Sequence, residues 1–181
     1  MKTNNNVTVS LGKPITAPVL VPVINEPPPT RCINRPFNVK GEWHKVTAMS
    51  FGTPHGAVFV DDVDAVDVPS LGYALGNYVL FPKGASIVFI EVLDKESVKA
   101  RLWQRGEGEI PFTLEAACVA GTAAMMLQKV LHNETAVHMG GNAFRVNWTR
   151  GDGEVSLSGP AGVLGVNDVS LPKPPNGDMS A

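Results

Sequence analysis

One segment limits the available folds more than any other. From Glu115 to Leu131 apolar residues cover almost every side of a helix, through Ala116, Ala117, Val119, Ala120, Ala123, Ala124, Met125 and Met126. A helix without a polar face has to be enclosed by the rest of its domain. Thr113 is the expected N-cap, and His132-Asn133 the expected end. The enclosing material is written around it in β periodicity. Val7–Leu11, Lys45–Phe51 and Ala57–Val60 read as strands, the last two split by a Gly-Thr-Pro-His turn. Ser86–Leu93 is an almost unbroken apolar run, as expected of a strand buried on both faces. Val98–Trp103 alternates, with Val98, Ala100 and Leu102 on one side. Thr135–Met139 and Ala143–Trp148 flank Gly140-Gly141, a hairpin signature. Glu154–Leu157 and Gly162–Val166 are further strand candidates, and Val68–Tyr78 is a second, short amphipathic helix. Strands around one buried helix predict an α+β domain.

Prolines crowd the two ends, seven between Pro14 and Pro36 and three between Pro172 and Pro175. Proline cannot donate to a β ladder, so the stretch after Leu11 is expected to be mostly extended coil. The organisation expected is a strand plus proline-rich arm over 1–42, a domain over 43–166, and a tail over 167–181. Fifteen Lys+Arg against 17 Asp+Glu give a net charge of −2, which excludes nucleic-acid binding driven by bulk charge. Arg31, Arg35, Lys40 and Lys45 make the front arm locally basic, so local nucleic-acid contact stays open without being indicated by charge. No apolar run approaches the roughly 18 residues that span a bilayer, and the amino end has no secretory-type apolar stretch. Cys32 and Cys118 are too few for a disulfide scaffold, and His44, His55, His132 and His138 lack metal-binding spacing. The expectation is a soluble intracellular protein, compatible with an organelle such as the mitochondrion, with no metal and no cofactor. The run Asp61, Asp62, Asp64, Asp67 reads as a strand end and helix N-terminus, not a calcium loop. Trp43, Trp103 and Trp148 read as core or rim rather than as a stacking platform.

The order of segments carries a resemblance. "FGTPHGAVFVDDVDAVDVPSLG" (51–72), "FPKGASIVFIEVLDKESVKARLWQRGEGE" (81–109), Gly140-Gly141 and "GPA" (159–161) resemble the carboxy-terminal half of diaminopimelate epimerase. The resemblance implies strands, mixed and antiparallel, wrapped around a central helix, as one of two pseudo-symmetric halves. It implies an active site between the halves, with one cysteine from each removing or returning the α-proton, and no cofactor. It places the substrate carboxylate at the amino ends of the central helices, where free N–H groups and the helix dipole favour an anion.

Against the family pattern several positions differ. Counting without a gap from Glu109 puts Thr113 where the family has its second cysteine, with Leu114-Glu115-Ala116 in place of its glycine-rich anion loop. Thr53 stands for the Asn of Asn-Pro-His, Ser86 for an Asn, and Gln104 for the Glu of Trp-Glu-Arg-Gly. Pro54, His55, Arg105, Gly106, Gly108 and Glu109 keep the pattern. A threonine hydroxyl has no access to its anion near neutral pH, unlike a thiol. A competing register, Ala117-Cys118-Val-Ala-Gly-Thr, would make Cys118 an acid/base; otherwise Cys118 is a small buried hydrophobe. Cys32 is expected at the surface of the arm. His55 is expected to bond loop backbone, and Arg105 to pair with Glu109 or Glu115. His55, Arg105 and Glu109 are the candidate binding residues of a remnant cleft. These changes lead to the expectation of a non-catalytic pseudoenzyme, an accessory subunit docked with other protein subunits in a larger assembly. The alternatives are an amino-acid epimerase or racemase half completed by a partner chain, and a small-anion binding module.

Overall fold

The computed structural model describes residues 5–18, 21, 31–151 and 153–165. Its strands are β1 (Asn6–Gly12), β2 (Arg35–Val39), β3 (Glu42–Ser50), β4 (Pro54–Phe59), β5 (Ser86–Val92), β6 (Ser97–Gln104), β7 (Gly108–Ile110), β8 (Glu134–Met139), β9 (Asn142–Trp148) and β10 (Val155–Pro160). The helices are α1 (Val68–Gly76) and α2 (Leu114–Met126), with a short 3-10 turn at Val63–Ala65. The fold class is α+β. The strands form one sheet in the order β1-β10-β9-β8-β6-β5-β4-β3-β2, and β7 also pairs with β6.

All neighbours are antiparallel except β4 with β5 and β6 with β8. These two joins are the crossovers that carry α1 and α2. Both step the same way along the sheet, but they start from strands of opposite direction. Right-handed crossovers therefore send the two helices to opposite faces. The side chains follow. Val58, Ile87, Phe89 and Trp103 pack with Val68 and Leu75 of α1, while Ala57, Val88, Ile90 and Leu102 pack with α2. Central strands serve two cores, which explains the unbroken apolar run in β5.

Ten of the thirteen residues of α2 are buried, so every side of it meets protein. Beyond β1, Ile15 exchanges two backbone hydrogen bonds with Ser50 at the end of β3 (2.9 and 2.8 Å), which draws the sheet's margins together around α2. Small helix residues permit this close wrapping: a Cβ on Gly121 would lie 2.7 Å from Val146 Cβ. Gly140 and Gly141, at φ 60° and 78°, make the tight turn from β8 to β9.

Four expectations need correction. The stretch after Leu11 is not all coil, because β2 lies within it. Asn38 points its N–H away from β3 to Tyr78 Oη (3.3 Å), and Pro36 two residues earlier shares that orientation, so its missing N–H removes no ladder bond. Cys32 is buried, with Sγ 3.8 Å from the Val46 carbonyl, and burial pushes its thiol pKa up. α2 ends at Met126 rather than Leu131, because Gln128 turns to φ 56° and ends the helical path. Ala161–Gly165 is a succession of turns, not a strand, and Val166 lies outside the described residues with the tail.

Candidate functional site at the amino end of the central helix

Strand parity decides which of the singled-out residues meet. On β4, Ala57 faces α2, so His55 two residues earlier faces it too. On β5, Val88 and Ile90 face α2, and Ser86 continues that row. On β6, Ala100 and Leu102 set the same direction for Gln104. His55 and Ser86 are directly paired across the β4/β5 ladder. This row lies at the end of the sheet where α2 begins.

Thr113 caps α2 in an extended conformation, and its Oγ1 accepts the Ala116 N–H at 3.0 Å. The N–H groups of Leu114 and Glu115 have no intrahelical acceptor at this position. Glu115, half-buried, stands in the first turn. Ser86 Oγ donates to Gln104 Oε1 (3.2 Å) and accepts the Arg105 N–H (3.0 Å), so its hydroxyl is fully engaged.

His55 is 1% exposed. Its Nδ1 lies 2.9 Å from the Thr53 carbonyl oxygen. That oxygen can only accept, so Nδ1 carries the proton and Nε2 carries a lone pair. Nε2 is buried and has no partner among the described residues. Burial pushes the imidazole pKa down; the bond to Thr53 and the nearby Glu115 carboxylate oppose this without cancelling it. A neutral proton acceptor therefore stands beside the amino end of a helix. Its bond to loop backbone is the one expected from sequence.

Arg105 and Glu109 sit elsewhere. Glu109 pairs with Trp103 across β7 and β6, on the α1 face. Its carboxylate binds Arg101 Nε at 2.8 Å. Arg105 directs its guanidinium to the carbonyls of Lys83 and Gly84, not to Glu109 or Glu115, which corrects the expected ion pair. Arg101 was missed in the sequence. It also donates to the carbonyls of Val63 (2.9 Å) and Val66 (3.0 Å), tying the 3-10 turn to β6. The available signal was its place on the α1 side of an alternating strand.

Cys118 is fully buried in the second turn of α2, and burial, then Glu115, push its thiol well above the ordinary range. The acidic run behaves as expected from sequence: Asp62 caps the 3-10 turn, Asp67 caps α1, and Asp64 pairs with Lys99. Among the described residues no three His, Cys, Asp or Glu side chains converge as metal ligands, and no helix is long and apolar enough to cross a membrane.

Comparison with known proteins gives the site its context. The family model for diaminopimelate epimerase matches residues 47–164. The diaminopimelate epimerase of Oceanobacillus iheyensis is 34% identical over 161 residues, covering 88% of this chain and 56% of that protein. That of Desulforapulum autotrophicum is 36% identical over 160 residues, covering 86% and 54%. The chain thus spans about half the length of the curated relatives it matches. Among solved structures, a hydroxyproline epimerase from Agrobacterium vitis aligns with a TM-score of 0.56 at 9% identity, over 86% of this chain and 49% of that one. A phenazine biosynthesis protein of the PhzF family from Bacillus anthracis gives 0.51 at 15% identity, over 86% and 57%. At such identities the structures speak for the fold alone.

The relatives at a third identity are named epimerases. That overturns the expectation of a non-catalytic accessory subunit, which had been drawn from individual changed residues, and leaves the pseudoenzyme reading without support. Sequence match, sheet order and enclosed central helix agree: this chain belongs to the diaminopimelate epimerase family.

Proposed function

We propose that this chain forms one half of an amino-acid epimerase, with diaminopimelate the first substrate to test. The cleft would be completed by a second epimerase half supplied outside this sequence. The observation that best supports this reading is the pairing of an unpartnered, neutral His55 Nε2 with the amino end of α2. A substrate carboxylate would meet the first-turn N–H groups of α2, which an anion satisfies. His55 would accept a proton from an acid/base group that the other half brings over the cleft. Its tautomer is fixed in advance by Thr53, so it needs no reorganisation to do so. Thr113 would shape the helix end, since its hydroxyl cannot serve as a base near neutral pH. Glu115 would raise the basicity of the imidazole through its nearby charge, at the cost of repelling a bound carboxylate.

The test mixes this chain with the amino-terminal half of the Oceanobacillus iheyensis enzyme and diaminopimelate in deuterated water. Incorporation of deuterium at the α-carbon, dependent on both chains and reduced at least tenfold by His55→Ala, is the expected result. Association of the halves without any exchange would overturn the catalytic reading.

A further inference from the structure

α2 stops short of the strands that enclose it. At its carboxy end the N–H groups of Gln128 and Lys129 cap the carbonyls of Met125 (3.2 Å) and Ala124 (2.8 Å). The parity that turns Met49 toward α2 continues back along β3 to Lys45 and Trp43, beyond the helix end. Phe59, at the end of β4, faces the same space, with Asp61 just after it. The result is a groove of about 630 Å³, whose walls include Trp43, His44, Lys45, Phe59, Asp61 and Lys129. It lies toward the pole opposite His55: Phe59 stands four residues, roughly 13 Å, further along β4.

Three features of this groove are unusual on a chain with net charge −2. Trp43 is 68% exposed, whereas Trp103 and Trp148 are 6% and 7% exposed. Lys129 Nζ stands 5.6 Å over the Phe59 ring. Among the described residues neither Lys45 nor Lys129 has a carboxylate partner. Each has an ordinary explanation when taken singly. A lysine beside a helix carboxy end complements the dipole, and single exposed apolar residues are common. Their convergence in one concavity of ligand size is what calls for an occupant. An indole face offers stacking to a planar ring. Two ammonium groups act as point charges that suit a phosphate dianion. The negative end of α2 is blunted by its caps, so it opposes an anion here only weakly.

We propose that this groove binds a nucleotide. The heteroaromatic ring stacks on Trp43, the phosphate lies between Lys45 and Lys129, and Asp61 accepts from a sugar hydroxyl. The inference is independent of the epimerase reading.

The test follows tryptophan emission of the intact chain during titration with AMP and UMP, and Trp43→Phe, which removes the groove's indole, should abolish the response. Saturable quenching with a midpoint below about 1 mM at low salt is expected. The Lys45→Ala/Lys129→Ala double variant, confirmed folded by circular dichroism, should weaken it at least tenfold, as should 0.5 M salt. Adenosine and inorganic phosphate should each bind at least tenfold more weakly than AMP. An octauridylate arm separates the two sources of this chemistry. Affinity equal to that of UMP assigns the site to a free nucleotide, and affinity rising with length assigns it to a single strand. Absence of saturable quenching up to about 10 mM, or binding undiminished in the double variant, overturns the proposal.

Discussion

His55 is the residue whose chemistry the fold has most clearly decided. In the unfolded chain its imidazole titrates near 6.5. Burial holds the folded value below that. The sign follows directly. As pH falls through about 6.5, the unfolded state takes up a proton that the folded state refuses, so stability is lost. His55 contributes this term fully above that pH and progressively less below it. Thermal midpoints measured from pH 8 to 5 should therefore fall more steeply for the wild type than for His55→Gln. Parallel curves would mean that the imidazole is protonated in place. The sequence showed the bond of this histidine to loop backbone. It did not show the free Nε2, because that depends on which strand face the ring occupies. The partners of Arg105 and Glu109 were misjudged for the same reason. Spacing along one chain suggested that they meet each other, whereas pairing across β6 and β7 gives Glu109 to Arg101.

At the scale of elements, glycine and helix ends carry the clearest consequences. α1 lies on Trp103 with no room to spare: a Cβ on Gly72 would stand 2.4 Å from both Cβ and Cγ of Trp103. In an exposed helix Gly→Ala stabilises by about 1 kcal/mol. Here overpacking against a side-chain stem costs about 1–3 kcal/mol and outweighs that gain. Gly72→Ala should therefore lower the free energy of unfolding, read from the urea midpoint at unchanged slope. Gln128 presents the opposite case. It holds φ 56° at the position after the α2 cap, where glycine adopts the conformation without a Cβ penalty. Gln128→Gly should stabilise the protein by about 0.5–1 kcal/mol in the same assay. Periodicity showed that α2 exists, that nearly all its sides are buried and that Thr113 caps it. It overran the end by five residues, since nothing in Leu127–Leu131 forbids helix: the turn is imposed by tertiary packing on a residue with no preference for it.

The whole molecule turns on enclosure. The all-round apolar helix and the two-sided apolar strand β5 were sufficient to predict a sheet wrapped about a helix. The wrapping order was not legible, because β1 and Ile15 reach their partners through contacts remote in sequence. That remoteness bears on how the protein is made. Among the described residues β1 finds its ladder partner only in β10, and the Thr8–Ser158 pair spans 150 residues. During synthesis the first strand must wait, its edge unsatisfied, until nearly the whole domain has left the ribosome. For much of translation α2 lacks part of its cover, and the nascent chain presents an open strand edge and an uncovered apolar helix together, the combination that chaperones recognise.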